Sequence, residues 1–231
     1  MAERLPRRFR RVIQGAVLSA AVLLTAGGIP AAHADAVTTY GVGLRSCQSY
    51  LGTLEAGNAV ERVTFVDWLS GYVSAVNRTS HHRNNFLGLT DLGEALRHID
   101  TYCQARPLAP FALAASHIVY GAHTGPAAHT AEPVSYGSAD KTCSQYLQAR
   151  GDRDRVNGGE FRDWLAGYLS GVNAMSLASG NVLGNSELLD AVRWLDDWCS
   201  GHPFVSYSTA AAELVSVQGR EGSAPTRLAT Q

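Results

Sequence analysis

The sequence predicts an all-α protein made of two tandem four-helix domains, each with one intra-domain disulfide. The first observation is a helical pattern, FVDWLSGYVSAVN at 65–77, that returns as FRDWLAGYLSGVN at 161–173. Its apolar residues recur at the spacing of one helix face, on an arc about 140° wide. Beside that arc lies a stripe of small residues, which predicts close approach of another backbone. Its members are Gly71, Ala75, Gly167 and Gly171.

The second observation is an alignment of the chain with itself. Residues 40–119 match 136–215 without a gap, at an offset of 136 − 40 = 96 residues, with about 28 identities in 80 positions. We interpret this as a tandem duplication. The predicted organisation is repeat 1 (40–122), a polar linker (123–135), repeat 2 (136–218) and a flexible tail (219–231).

The third observation concerns the four cysteines. Their separations are 103 − 47 = 56 and 199 − 143 = 56 residues. Four cysteines allow three connectivities, and the repeat favours Cys47–Cys103 and Cys143–Cys199. A zinc site is the alternative, but no close C-x-x-C pair supports it. Disulfides persist outside the cytoplasm, so this pattern favours an exported protein.

Residues 1–34 match a secretory signal peptide, with an arginine-rich start, an apolar run and Ala32-His33-Ala34 before the expected cleavage site. Without five arginines and Glu3, the chain carries 14 basic and 19 acidic residues, a balance of −5. A negative net charge of this kind does not favour binding to nucleic acid. No later segment is long and apolar enough to predict stable membrane insertion. The expected location is periplasmic or extracellular.

Four helices are expected in each repeat. The first runs near 43–54 and 139–150, and the second is the repeated central helix, which we expect to end at Asn77 and Asn173. Thr90 and Ser186 are expected to cap the third helix. Pro107 and Pro203 are expected to open the fourth.

The acidic residues of the repeats could serve general acid–base chemistry, but their helical positions favour a structural role. Asp67 and Asp163 fall opposite the apolar arc, on the same helix face as Ser74 and Ser170. We therefore expect this face to be solvated. Asp100 and Asp196 can pair with Arg97 and Arg193. The histidines lack metal-ligand spacing, and no catalytic motif is present. We therefore predict no enzyme activity, no cofactor and no metal site.

The motifs SCQSYL and TCSQYL, the helix motifs WLSGY and WLAGY, and a second cysteine before a Pro-led, Ala-rich helix form a recognisable set. The set resembles the small exported helical proteins of the HdeA/HdeB type and the Tai-like immunity proteins of type VI secretion amidase effectors. The resemblance implies one disulfide per repeat and a chaperone-like or immunity-like role, with another protein as partner.

We therefore expect an exported, non-enzymatic protein-binding module. Two alternatives remain open: a structural envelope protein, and a ligand-binding or enzymatic cleft between the repeats. The cleft would be lined by Trp68, Tyr72, Trp164 and Tyr168.

The largest divergence between the repeats is a loop, 77–88 against 173–184. In repeat 1 it carries Arg78, His81, His82 and Arg83, where repeat 2 has uncharged residues. Histidine gains charge below about pH 6.5. We therefore expect these four residues to bind an acidic partner, with an affinity that rises as pH falls from 7 to 5.

Overall fold

A computed structural model describes residues 37–80, 85, 92–121, 133–151, 155–176 and 180–222. All of them belong to one compact unit, Asp35–Gln231. The predicted signal peptide, most of the linker (123–132) and the end of the predicted tail (223–231) lie outside the described residues.

The described residues contain eight α-helices and no strand, which confirms the all-α prediction. In repeat 1, a 3-10 helix (Gly41–Leu44) precedes α1 (Cys47–Glu55), α2 (Ala59–Thr79), α3 (Gly93–Ala105) and α4 (Phe111–Gly121). In repeat 2, a 3-10 helix (Gly137–Asp140) precedes α5 (Cys143–Gly151), α6 (Arg155–Met175), α7 (Leu188–Gly201) and α8 (Tyr207–Gly222). Both repeats thus have the same order of elements, and α8 continues four residues beyond the predicted end of repeat 2.

Several helix ends differ from the prediction. Helix α7 begins after Glu187, which forms a reciprocal capping box with Asp190, so Ser186 is not the cap. Helix α3 begins after Leu92, and Thr90 lies outside the described residues. The fourth helices begin four residues after Pro107 and Pro203, because both prolines lie in the preceding turn.

Each repeat has its own apolar core around a cluster of three packed aromatic rings, Tyr50, Phe65 and Phe111 in repeat 1 and Tyr146, Phe161 and Tyr207 in repeat 2. The predicted disulfides are confirmed: Cys47 is bonded to Cys103 and Cys143 to Cys199. All four cysteines are completely buried. The disulfides therefore join the first and third helices of each repeat inside the core.

The two repeats meet where α2 packs against α6. A Cβ atom on Gly71 would overlap the backbone carbonyl of Trp164, and one on Gly167 would overlap that of Trp68. The backbones approach so closely that only glycine fits at these two positions. The predicted small-residue stripe is therefore the contact between the repeats.

The segment before each repeat lies against the central helix of the other repeat. The Asn173 side chain donates to the Thr38 carbonyl (2.8 Å), and the Ser170 hydroxyl accepts from the Tyr40 N–H (2.9 Å). The mirror contacts join Asn77 to the Val134 carbonyl (2.7 Å) and Ser74 to the Tyr136 N–H (2.9 Å).

These contacts correct the predicted roles of two residue pairs. Asn77 and Asn173 are not helix caps, because both lie inside their helices and are completely buried. Ser74 and Ser170 are not solvated, because they are buried where the repeats meet. Each of the four side chains satisfies a backbone group of the segment that crosses over.

Candidate functional site

Asp67 and Asp163 lie half-buried beside the contact between the repeats and are not the solvated residues that we expected. Burial and, to a smaller extent, the nearby Glu160 and Asp163 carboxylates together raise the pKa of the Asp67 carboxyl to about 7, against the opposing charge of Lys141. Burial also raises the pKa of Asp163 to about 6, against the charge of Arg162 and a hydrogen bond to Thr64. Loss of solvation is the main cause of both shifts.

Asp100 and Asp196 have partners other than the predicted arginines. The Tyr50 hydroxyl donates to Asp100 (2.7 Å), and the Tyr146 hydroxyl donates to Asp196 (2.6 Å). Asp196 also accepts two hydrogen bonds from Arg150. Despite the cost of burial, the bonds from Arg150 and Tyr146 lower the pKa of Asp196. Arg193 pairs with Asp190 instead.

The cleft between the repeats that the ligand hypothesis required is filled. Trp68 and Trp164 are completely buried, and Tyr72 and Tyr168 are 2% exposed. The Trp68 and Trp164 indole N–H groups each donate to a backbone carbonyl, of Tyr40 and Tyr136 (both 2.8 Å). Each indole also stacks on the tyrosine one turn further along its helix. These aromatic residues therefore belong to the core and offer no surface to a ligand.

Two exposed apolar side chains occupy equivalent positions in the turns between the third and fourth helices. Leu108 is 83% exposed and Phe204 is 90% exposed, the highest values among the large apolar residues that the structure describes. We name the two turns the first tip (106–110) and the second tip (202–206). Neither residue was predicted to be functional, although both repeats place a large apolar residue directly after a proline.

The tips are held in place by the backbone at the start of each repeat. In the first tip, Pro107 and Ala109 carbonyls accept from Gln48 and Cys47 N–H groups (both 2.8 Å). In the second tip, Pro203 and Val205 carbonyls accept from Ser144 and Cys143 N–H groups (2.9 and 2.8 Å). Since each tip also follows the second cysteine of a disulfide, its apolar side chain projects from an ordered and anchored loop.

The surroundings of the two tips differ. Leu44 is a further exposed apolar residue near the first tip. Its neighbour Arg45 accepts, through its carbonyl, a hydrogen bond from the N–H of Phe111, the residue that follows the tip. The equivalent residue near the second tip is the exposed Asp140. The two repeats therefore differ at this position, with an exposed leucine in repeat 1 and an acidic residue in repeat 2.

Of the four residues predicted to bind an acidic partner, the structure describes Arg78 alone. Arg78 is exposed near the end of α2. Its positive charge acts on Tyr168 in repeat 2. Burial raises the pKa of Tyr168 to about 12, and the charge of Arg78 partly counteracts this rise. His81, His82 and Arg83 lie outside the described residues, so their role stays a prediction.

Within the described ranges, no group of three or more histidine, cysteine or acidic residues is placed to hold a metal ion. Among the same residues, no helix is both long and apolar enough to cross a membrane.

The fold and the candidate site define a class: an all-α protein of two similar, disulfide-bonded helical units that meet at their central helices. The two disulfides indicate an oxidising, non-cytoplasmic environment. Comparison with protein-family models, with curated proteins and with solved structures finds no match to this chain.

Proposed function

We propose that this chain is an exported, non-enzymatic protein-binding module that holds its partner through the two tips. The observation that carries the proposal is the exposure of Leu108 and Phe204 at equivalent positions of anchored turns. A large apolar side chain that inserts into a partner's pocket is a common centre of binding energy. An anchored loop also loses little conformational freedom on binding.

The resemblance to HdeA/HdeB-type and Tai-like proteins offers two kinds of partner. A chaperone-like role would use the tips to hold unfolded chains, whose exposed apolar segments bind many surfaces weakly. An immunity-like role would use them against one folded amidase. A periplasmic or extracellular location, after removal of residues 1–34, belongs to the same proposal. The predicted binding by Arg78, His81, His82 and Arg83 would require an acidic surface on the partner.

The first test asks whether the tips bind. A Leu108→Ser, Phe204→Ser double variant is compared with the parent in cross-linking to proteins of the cell envelope. Leu189→Ser is the matched control, because Leu189 is also an exposed leucine (53%) but lies in the first turn of α7, at the opposite end of that helix from the second tip. We expect the double variant to lose about 2–4 kcal/mol of binding free energy to any captured partner. Equal capture by all three proteins would contradict the proposal.

Two further assays separate the roles. A chaperone-like protein suppresses aggregation of a denatured client such as reduced insulin, and an immunity-like protein inhibits a peptidoglycan amidase at equimolar ratio. In either assay the Leu108→Ser, Phe204→Ser variant should fail while Leu189→Ser remains active. A protein inactive in both assays, with no partner captured, would leave the structural-envelope alternative as the better account.

A further inference from the structure

A cavity of about 430 Å³ opens on the outer face of repeat 1, between α3 and α4. Its volume lies in the usual range for sites of small organic ligands. Ala95 and the buried Ile118 contribute apolar surface, and polar side chains line the remainder: Glu94, His98, Tyr102, Arg106 and His117. The cavity adjoins the first tip at Arg106, and none of its lining residues lies on α2 or α6, where the repeats meet.

Three of these side chains form a connected group. The Arg106 guanidinium lies over the Tyr102 ring, 4.8 Å from its centroid, and the His117 ring centroid is 5.0 Å from that of Tyr102. A guanidinium that stacks on an aromatic ring keeps its in-plane N–H groups free to donate. In the part of the chain that the structure describes, Arg106 forms no ion pair.

The same positions in repeat 2 have different chemistry. His98 and Tyr102 are replaced by Trp194 and Trp198, whose rings stack with centroids 6.1 Å apart. His202, in place of Arg106, stacks on Trp198 at 4.0 Å.

Two acidic residues on that face of repeat 2 have arginine partners. Glu213 replaces His117 and accepts a hydrogen bond from Arg220 (3.4 Å), while Asp190 replaces Glu94 and pairs with Arg193 (2.8 Å). Among the residues that the structure describes, repeat 1 therefore has a guanidinium without an ion-pair partner beside an aromatic ring, where repeat 2 has a stack of rings and two ion pairs.

We propose that the cavity in repeat 1 binds a small organic monocarboxylate with an apolar body. The carboxylate would accept hydrogen bonds from Arg106, a geometry that guanidinium and carboxylate groups share. The body would lie against Tyr102 and Ile118. Glu94 lines the same cavity and disfavours a second negative charge on the ligand, which argues against phosphates and dicarboxylates.

The test uses the full chain after removal of any signal segment, with phenylacetate as the probe and phenylacetamide as its uncharged isostere. Binding is followed by the NMR signals of the His98 and His117 rings. For about ten non-hydrogen atoms we expect a Kd of about 1 mM. Phenylacetamide should bind roughly tenfold more weakly or not at all, because it lacks the charge that Arg106 recognises.

Arg106→Gln should weaken phenylacetate binding roughly tenfold, and Arg220→Gln is the control, since Arg220 is an exposed arginine of repeat 2 that already has a partner. Equal binding of the acid and the amide would overturn the proposal even if the Arg106 variant did not fold. So would unchanged affinity in a folded Arg106→Gln protein, or phenylacetate shifts that avoid both histidines.

Discussion

The α3–α4 face of repeat 1 and the α7–α8 face of repeat 2 occupy the same alignment positions but differ in chemistry. One has a cavity lined by an arginine that forms no ion pair with the residues the structure describes, and the other has stacked rings of Trp194, Trp198 and His202. Beneath these faces, the disulfides are equivalent, and the aromatic clusters differ only in that Tyr207 replaces Phe111. The comparison shows that the two repeats share a core of the same design, whereas their outer helix faces differ in chemistry.

The largest effect that tests this comparison concerns the disulfides. Replacing Cys47 and Cys103 with alanine should lower the free energy of unfolding by about 4 kcal/mol, because the bond closes a loop of 56 residues in the unfolded chain. The same change at Cys143 and Cys199 should cost a similar amount. Urea unfolding measures both. Since the repeats share the α2–α6 contact, we expect one transition in each variant, and two separate transitions would contradict that view.

A smaller effect is expected where the repeats touch. Gly71→Ala should destabilise the whole unit by about 3 kcal/mol, because its Cβ would meet the backbone of α6, which no side-chain rotation can relieve. Because Gly71 lies between the repeats, we expect the loss to affect both of them. Gly52→Ala in α1 is the control: nothing lies within 4 Å of its Cβ, so it should be neutral or stabilise by about 0.5–1 kcal/mol. Equal thermal stability of the two variants would show that α2 and α6 separate easily.

The smallest effect concerns the pH dependence of stability. The folded-state pKa of Asp67 is raised to about 7, so its contribution is fully present below its unfolded pKa near 4 and is lost as pH rises through about 7. The parent should therefore be more stable at pH 5 than at pH 8. Asp67→Asn should gain about 1–2 kcal/mol at pH 8, a figure reduced for the partial exposure of the carboxyl.

Asp163→Asn is the matched comparison, and its gain should be smaller because the pKa of Asp163 is raised only to about 6. The lowered pKa of Asp196 acts in the opposite direction, but below this pH range. Denaturant unfolding at pH 5 and pH 8 gives the difference. An Asp67→Asn protein with the parent's pH dependence would show that the carboxyl is solvated after all.

The fold was largely predictable from the sequence because the apolar arcs of the helices and the matched cysteines carry local, periodic signals. The predicted core residues Phe65, Trp68 and Leu69 are buried. The roles of Ser74, Asn77 and their equivalents were not predicted, because a helical wheel separates apolar from polar faces and cannot distinguish water from a polar contact with another helix. Their identity in both repeats was the available signal, since a solvated position need not be kept.

The candidate site was less predictable than the fold. Leu108 and Phe204 follow prolines in the sequence, but only the structure shows that the turns leave them exposed. The grouping of Arg106, Tyr102 and His117 combines residues from two helices, and the angle between those helices is a tertiary property. The predicted partner residues His81, His82 and Arg83 remain untested.

The crossing of residues 38–40 onto α6, and of 134–136 onto α2, has a consequence for the separated halves of the protein. We call residues 38–40 and 134–136 the straps. Each half of the protein contains the strap that packs on the central helix of the other half, and it lacks the strap that packs on its own central helix. A gene split in the linker, before Val134, would therefore yield two fragments whose association restores both straps. A fragment alone could cover its glycine-lined central helix only by packing that helix against a second copy of itself. We therefore expect a single repeat to form a symmetric dimer in which each copy lays its strap on the central helix of the other.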